Sequence, residues 1–216
     1  MKLGGIALVV LVALAACGGG RTNVKYDPAA VNGPAQARWD FDRDPVGGLP
    51  PGVTTYSGSW AVRAEAGTPS APNALCQTGT ATLPALTISD AVYADVAVTA
   101  TFKAISGKED QAAGLIVRVQ DKENFYILRA NALENNVNLY RYVGGKRDVI
   151  KEGKATVPSG QWQELRLVVR GNHLQGFINE QLVVEGTDDT FMAGKVGLWT
   201  KADSETCFDD VEVRLP

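Results

Sequence analysis

Phe125-Tyr126-Ile127-Leu128-Arg129-Ala130-Asn131 and, after a polar link, Val137-Asn138-Leu139-Tyr140-Arg141-Tyr142-Val143 form the stretch on which the fold turns. Both runs are short and rich in aromatic and branched residues, and the second closes on the turn Gly144-Gly145-Lys146. Successive side chains of a strand point to opposite faces. Alternation therefore sets Ile127, Arg129 and Asn131 on one face and Tyr126, Leu128 and Ala130 on the other. In the second run Asn138, Tyr140 and Tyr142 share a face. The link Asn131-Ala132-Leu133-Glu134-Asn135-Asn136 is too polar for a strand. It reads either as a turn that satisfies its own backbone or as a rim loop offering hydrogen bonds to a polar ligand.

The same grammar extends outward. Apolar residues recur with a period of two at 94–102, 113–119, 163–169, 174–178, 181–185, 195–200 and 208–214. Asp121-Lys122-Glu123-Asn124, Gly171-Asn172 and Asn179-Glu180 supply turns between them. Roughly a dozen strands at this spacing suit a sandwich or a barrel. No stretch of the domain carries a long, capped 3.6-residue period, so the expectation is an all-β domain with helices absent or of a single turn.

The first residues have other work. A charge at Lys2, an apolar run over 3–14 and small residues before Cys17 make an export signal, and the apolar run is too short to cross a bilayer core. Leu14-Ala15-Ala16-Cys17 resembles the lipobox of bacterial lipoproteins, which implies cleavage before Cys17 and lipid on that cysteine. Residues 1–17 are thus expected to be the signal, with an exported, lipid-anchored product in the cell envelope. Gly18 in place of Asp implies forwarding to the outer membrane where the organism has two membranes. Glycines, Pro28 and Pro34 make 18–37 a flexible tether. What remains, 38–216, is about 180 residues, the size of one domain.

Composition excludes some functions. The chain has 216 residues with 21 Lys and Arg against 24 Asp and Glu, well mixed. No basic stripe with interleaved aromatics offers nucleic acid a footprint, and membrane contact is expected through the lipid alone. Apart from Cys17 the cysteines are Cys76 and Cys207, which can pair in only one way in an oxidising compartment. His173 is the one histidine and sits in the turn Gly171-Asn172-His173, which leaves a zinc site or a histidine-based catalytic centre little footing.

Longer phrases are more specific. Asp110-Gln111-Ala112-Ala113-Gly114-Leu115, Asn124-Phe125-Tyr126, Arg129-Ala130-Asn131-Ala132-Leu133-Glu134, Gly160-Gln161-Trp162, Asp189-Thr190-Phe191, Gly194-Lys195-Val196-Gly197-Leu198-Trp199-Thr200-Lys201-Ala202-Asp203-Ser204 and Phe208-Asp209-Asp210 resemble the 3-keto-disaccharide hydrolase domain family. That family lies within the concanavalin A-like lectin and glucanase superfamily. The resemblance implies a jelly-roll sandwich of two curved antiparallel sheets, with carbohydrate bound or cut on the concave face. It also implies that Cys76 lies beside the last strand, so that Cys76 and Cys207 form a disulfide. A structural calcium ion near Asp209 is implied by likeness to relatives.

Retaining glycosidases of this fold carry Glu-x-Asp-x-x-Glu on one strand, which places two carboxyl groups on one face at about 5 Å. This sequence has no such motif. Its densest acids, Glu185-Gly186-Thr187-Asp188-Asp189 and Asp209-Asp210, suit turns or calcium better than an acid and base pair. The better candidate set is Arg129, Asn131, Glu134 and Tyr140, closed by Trp199 and Lys201, with Arg118 at a parity that could join it. Sugars stack on aromatic faces and are satisfied by planar polar groups. The leading expectation is a surface-tethered carbohydrate-binding domain. The alternative is a glycoside hydrolase acting on a keto-disaccharide, with Glu134 or Asp203 as acid; a third is an envelope protein whose concave face binds protein.

Overall fold

The structure, a computed structural model, describes residues 35–216. Cys17, the signal and nearly all of the tether fall outside the described residues. The first strands in chain order are β1 (Ala37–Trp39), β2 (Thr54–Ser57), β3 (Trp60–Ala64), β4 (Asn73–Gln77), β5 (Ala85–Thr87), β6 (Val96–Ser106), β7 (Ala112–Asp121) and β8 (Asn124–Asn131). They continue with β9 (Asn136–Val143), β10 (Lys146–Lys154), β11 (Gln163–Arg170), β12 (His173–Ile178), β13 (Gln181–Thr187), β14 (Lys195–Trp199) and β15 (Glu205–Arg214). No helix occurs among the described residues.

Two antiparallel sheets stack face to face as a jelly roll. One runs β13-β12-β11-β6-β15-β4-β3, with β1 also on β15, and the other runs β10-β9-β8-β7-β14-β5-β2. Alternation explains the core between them. Val96, Val98, Ala100, Phe102 and Ala104 of β6 point inward, as do Leu115 and Val117 of β7, Tyr126, Leu128 and Ala130 of β8, and Leu198 of β14. Each large apolar side chain buried this way contributes about 1.5–3 kcal/mol. Two-residue turns set the hairpin registers. Gly144 and Gly145 join β9 to β10, and Asn179 and Glu180 join β12 to β13, all at positive φ.

A bulge on β7 breaks the parity next to the candidate site. The register of β7 shifts between Val117 and Asp121 against β8 and between Ile116 and Val119 against β14, and Arg118 within the bulge has φ of 51°. A bulge inserts a residue and reverses the alternation beyond it. Arg118 therefore leaves the candidate site. Its buried guanidinium donates to the carbonyls of Ala94, Phe191 and Gly171 and ties three loops together.

Strand pairing starts slightly earlier than 38, since the Gln36 amide donates to the Val213 carbonyl and Ala37 opposes Val213. Cys76 and Cys207 form a disulfide between directly opposed residues of β4 and β15, closing a loop of 131 residues. Trp60 and Trp39 pack on the main core, and Trp162 packs beside the disulfide. Asp209, near which a calcium ion was expected, lies on β15. It is buried, and its carboxylate accepts from the Ser70 amide (2.8 Å), the Ser70 hydroxyl (2.7 Å) and the Asp210 amide (2.7 Å). Among the described residues, no three His, Cys, Asp or Glu side chains are grouped to hold a metal ion.

Candidate functional site

The seven-stranded sheet has a second, outer face, and its residues are unlike ordinary surface. Register sets Trp199 (β14), Gly114 (β7), Arg129 (β8) and Asn138 (β9) side by side across four strands. Beside this row lie Ile116, Ile127 and Tyr140, and beyond them Phe125 and Tyr142. Gly114 is required by Trp199: a Cβ there would sit 2.9 Å from the indole Cε3. Arg129 is only 3 % exposed although it points away from the core.

The charged groups at one end of this face form a closed network. Lys201 Nζ donates to Asp110 Oδ2 at 2.7 Å, and Asn131 Nδ2 donates to Asp110 Oδ1 at 2.7 Å. Arg129 Nη2 donates to Glu134 Oε2 at 2.5 Å and to Asn136 Oδ1 at 3.1 Å, while Nη1 lies 3.9 Å from Asp110. Asn136 Nδ2 also donates to Glu134, at 2.8 Å. Two acids thus face two bases, and the cluster is neutral. The Arg129 guanidinium lies 5.5 Å from the Tyr140 ring, and Arg147 of β10 lies 4.5 Å from it on the same residue. Asn138 donates to the Tyr140 hydroxyl at 2.9 Å.

The amide-rich link satisfies its own backbone. Asn131 Oδ1 accepts from the Leu133 amide, closing the turn, and Asn135 Oδ1 accepts from the Val157 amide. Glu134 meanwhile faces Arg129, half-exposed at the rim. Burial pushes its carboxyl up, but the Asn136 hydrogen bond, Arg129 and the charge of Lys201 outweigh this and hold it below the ordinary 4.5. Asp203 is also held low, chiefly by the amides of Lys108, Asp110 and Glu109, which bind it in the loop before β7. A general acid needs its pKa raised toward the working pH, and neither carboxyl has such an environment.

Arg129, Asn131, Glu134, Tyr140 and Lys201 are therefore brought together. Trp199 stands on the same face but is fully buried, so its ring is no open stacking platform, and its indole N–H is left without a partner. Strand parity missed Asp110, the hub of the network, because it lies in the loop ahead of β7. It also missed Asn136 and Arg147. His173 opens β12 in a tight turn, its Nε2 3.4 Å from Glu185, away from this face. A cavity of about 700 Å3 lies elsewhere, between the end of β10 and the β12–β13 hairpin. No aromatic lines it and charges do not converge there, so it lacks the features of a polar-ligand site.

The family described as the 3-keto-alpha-glucoside-1,2-lyase-like domain matches residues 51–214. The chain belongs to that family. The domain is also 23% identical over 148 residues to a levanase of Bacillus subtilis (strain 168), covering 68% of this chain and 20% of the levanase. This chain thus spans about one fifth of that curated relative. Among solved structures the domain is similar to the carbohydrate binding module CBM66 from Bacillus subtilis, with a TM-score of 0.65 and 21% identity over 76% of this chain and 95% of the other. A second similar structure is a Bacillus subtilis protein with a galectin-like fold, with a TM-score of 0.61 and 14% identity over 85% and 96% of the two chains. At these identities the likeness establishes the jelly-roll fold.

Proposed function

We propose that the domain binds a neutral carbohydrate on the outer face of its seven-stranded sheet and carries out no chemistry there. The observation that carries this is the Asp110–Lys201–Asn131–Arg129–Glu134 network. It is buried at Asp110, Asn131 and Arg129, reaches solvent at Glu134 and Lys201, is internally neutral and lies on the side of the sheet that the main core does not use. A self-compensated cluster has no net charge to offer an ion, yet it holds planar donors and acceptors rigidly, which suits hydroxyls. Tyr140 is buried between two guanidinium groups, so it holds Arg147 and Arg129 in place rather than offering an open ring. The name of the structurally similar CBM66 module points the same way. The family's description favours a second reading, enzymatic action on a 3-keto-α-glucoside. The depressed Glu134 and Asp203 carboxyls weigh against it.

The proposal extends to placement. Leu14-Ala15-Ala16-Cys17 supports export with lipid on Cys17, and the tether would hold the domain clear of the envelope surface, an outer membrane where there are two. Binding to a glycan array, followed by product analysis of each hit after incubation with the protein, tests the first part. Bound glycan recovered intact is expected, and turnover of a keto-glucoside would replace binding by catalysis. Mass spectrometry of the mature N-terminus tests the second part, and a Cys17 without acyl chains would refute it.

A further inference from the structure

The outer face continues past Tyr140. At its far end a cavity of about 310 Å3 is lined by Tyr56, Leu83, Phe125 and Tyr142, together with Lys122 and Glu123 of the β7–β8 turn. Phe125 and Tyr142 are opposed across β8 and β9, with ring centroids 4.9 Å apart. Lys122 and Glu123 lie 3.9 Å from each other, so this end, like the polar end, is internally neutral. Between the two ends stands Arg147, the register partner of Tyr142. Its guanidinium covers Tyr140, it has no ion pair among the described residues, and its Nη1 has no hydrogen-bond partner. From Asn131 to Phe125 the face runs six residues of β8, about 20 Å, which is longer than one sugar ring.

We infer that this cavity is a second subsite, taking a further sugar unit of the same neutral glycan chain whose first unit occupies the Arg129–Glu134 end. The inference rests on the carbohydrate reading and adds to it a chain-binding mode. Phe125 and Tyr142 are buried and form the floor of the cavity, whereas Tyr56 at its wall is half-exposed and supplies an accessible ring with a hydroxyl at its edge, which with the neutral rim matches a pyranose or furanose ring, apolar on its faces and polar around its edge. Arg147 is the donor placed to bridge the two units, because a guanidinium presents several N–H groups and this one has none committed to an acid. Tyr142, which lines the cavity, lies two residues along β9 from Tyr140 on the same outer face.

The test measures chain-length dependence on the full-length chain. Neutral mono- to hexasaccharides, levan oligosaccharides included, are arrayed, and each binder is titrated calorimetrically as a length series. Wild type is expected to gain at least about tenfold in affinity from the single unit to the chain that reaches the cavity, equivalent to 1.4 kcal/mol. Tyr56→Ala and Lys122→Ala are expected to remove most of that gain while leaving single-unit affinity unchanged; Tyr56 is half-exposed and Lys122 exposed, so both variants should fold. A length gain that survives both variants, or affinity independent of length, overturns the second subsite and leaves the polar end standing. No binding by any glycan overturns both.

Discussion

The two outer faces of the sandwich carry similar residues in opposite states. On the eight-stranded sheet, Arg38, Glu164, Arg166, Asp210, Glu212 and Arg214 line a shallow groove of about 380 Å3 with Thr99 and Thr101. Its ion pairs, Arg38 with Asp210 and Arg214 with Glu212, stay in contact with water, the Arg38 side chain being 55% exposed. On the seven-stranded sheet, the side chains of Arg129 and Asp110 are each 3% exposed. Exposed pairs contribute between nothing and about 1 kcal/mol. Burying a charge costs several kcal/mol unless its partners are all in place. A protein that needed only a water-compatible face had the cheaper solution available, and uses it on the other sheet. The buried network is the feature by which the two faces differ, and its stability cost is what substitutions on each face measure.

Variants on the two faces sharpen this contrast, and the largest effect belongs to the disulfide rather than to any charge. Cys76→Ser with Cys207→Ser should cost about 4–5 kcal/mol in the chain-entropy account for a loop of this length, read by urea unfolding, with glycan binding by the folded fraction unchanged. Asp110→Ala should cost about 3–5 kcal/mol, because it leaves Lys201 and Arg129 without their buried partner. Its counterpart Asp210→Ala should cost under about 1 kcal/mol. Equal losses at Asp110 and Asp210 would erase the distinction between the faces. Trp199→Ala should also cost about 3–5 kcal/mol, the effect of emptying a buried aromatic site.

Acid should act on the polar end in a defined window. The folded pKa of Glu134 lies below its ordinary 4.5, and that of Asp203 lies below 3.8. A depressed carboxyl stabilises fully above its unfolded value, and that contribution is lost as pH falls through the folded one. Stability from these groups and glycan affinity should therefore hold from pH 7 down to about pH 5 and decline below about pH 4. A titration that instead weakened binding between pH 6 and 7 would require a group absent from this network.

Much of this was legible in the sequence, and the failures have physical causes. Tyr126-Ile127-Leu128-Arg129 alternates cleanly, because both of its faces are occupied, one by core and one by the site; its assignment survives residue by residue. β10, Lys146–Lys154, escaped notice because an edge strand needs little apolar surface, and its lysines and Glu152 read as loop. β1, β2 and β5 are too short, at three or four residues, for a period to register. Arg118 was misplaced by a bulge, which no pattern of residue types announces. Trp199 was placed on the correct face, but burial depends on Gly114 and the strands around it, and parity does not measure depth. Asp110 sits in a loop, where alternation does not apply, and only the folded chain brings it to Lys201.

The most direct test sets binding against stability for Glu134→Gln and Lys201→Ala, the two partly exposed members of the network. Each removes a charged hydrogen-bonding group worth about 1.5–3 kcal/mol to a ligand that uses it. Affinity of the folded protein for the glycan identified on the array should fall about tenfold or more, and the urea midpoint should fall as well, more for Lys201→Ala than for Glu134→Gln, because the first leaves the buried Asp110 carboxylate without its cation while the second keeps a hydrogen-bond acceptor for Arg129. Unchanged affinity in both variants, with the protein folded, would contradict a carbohydrate site on this face.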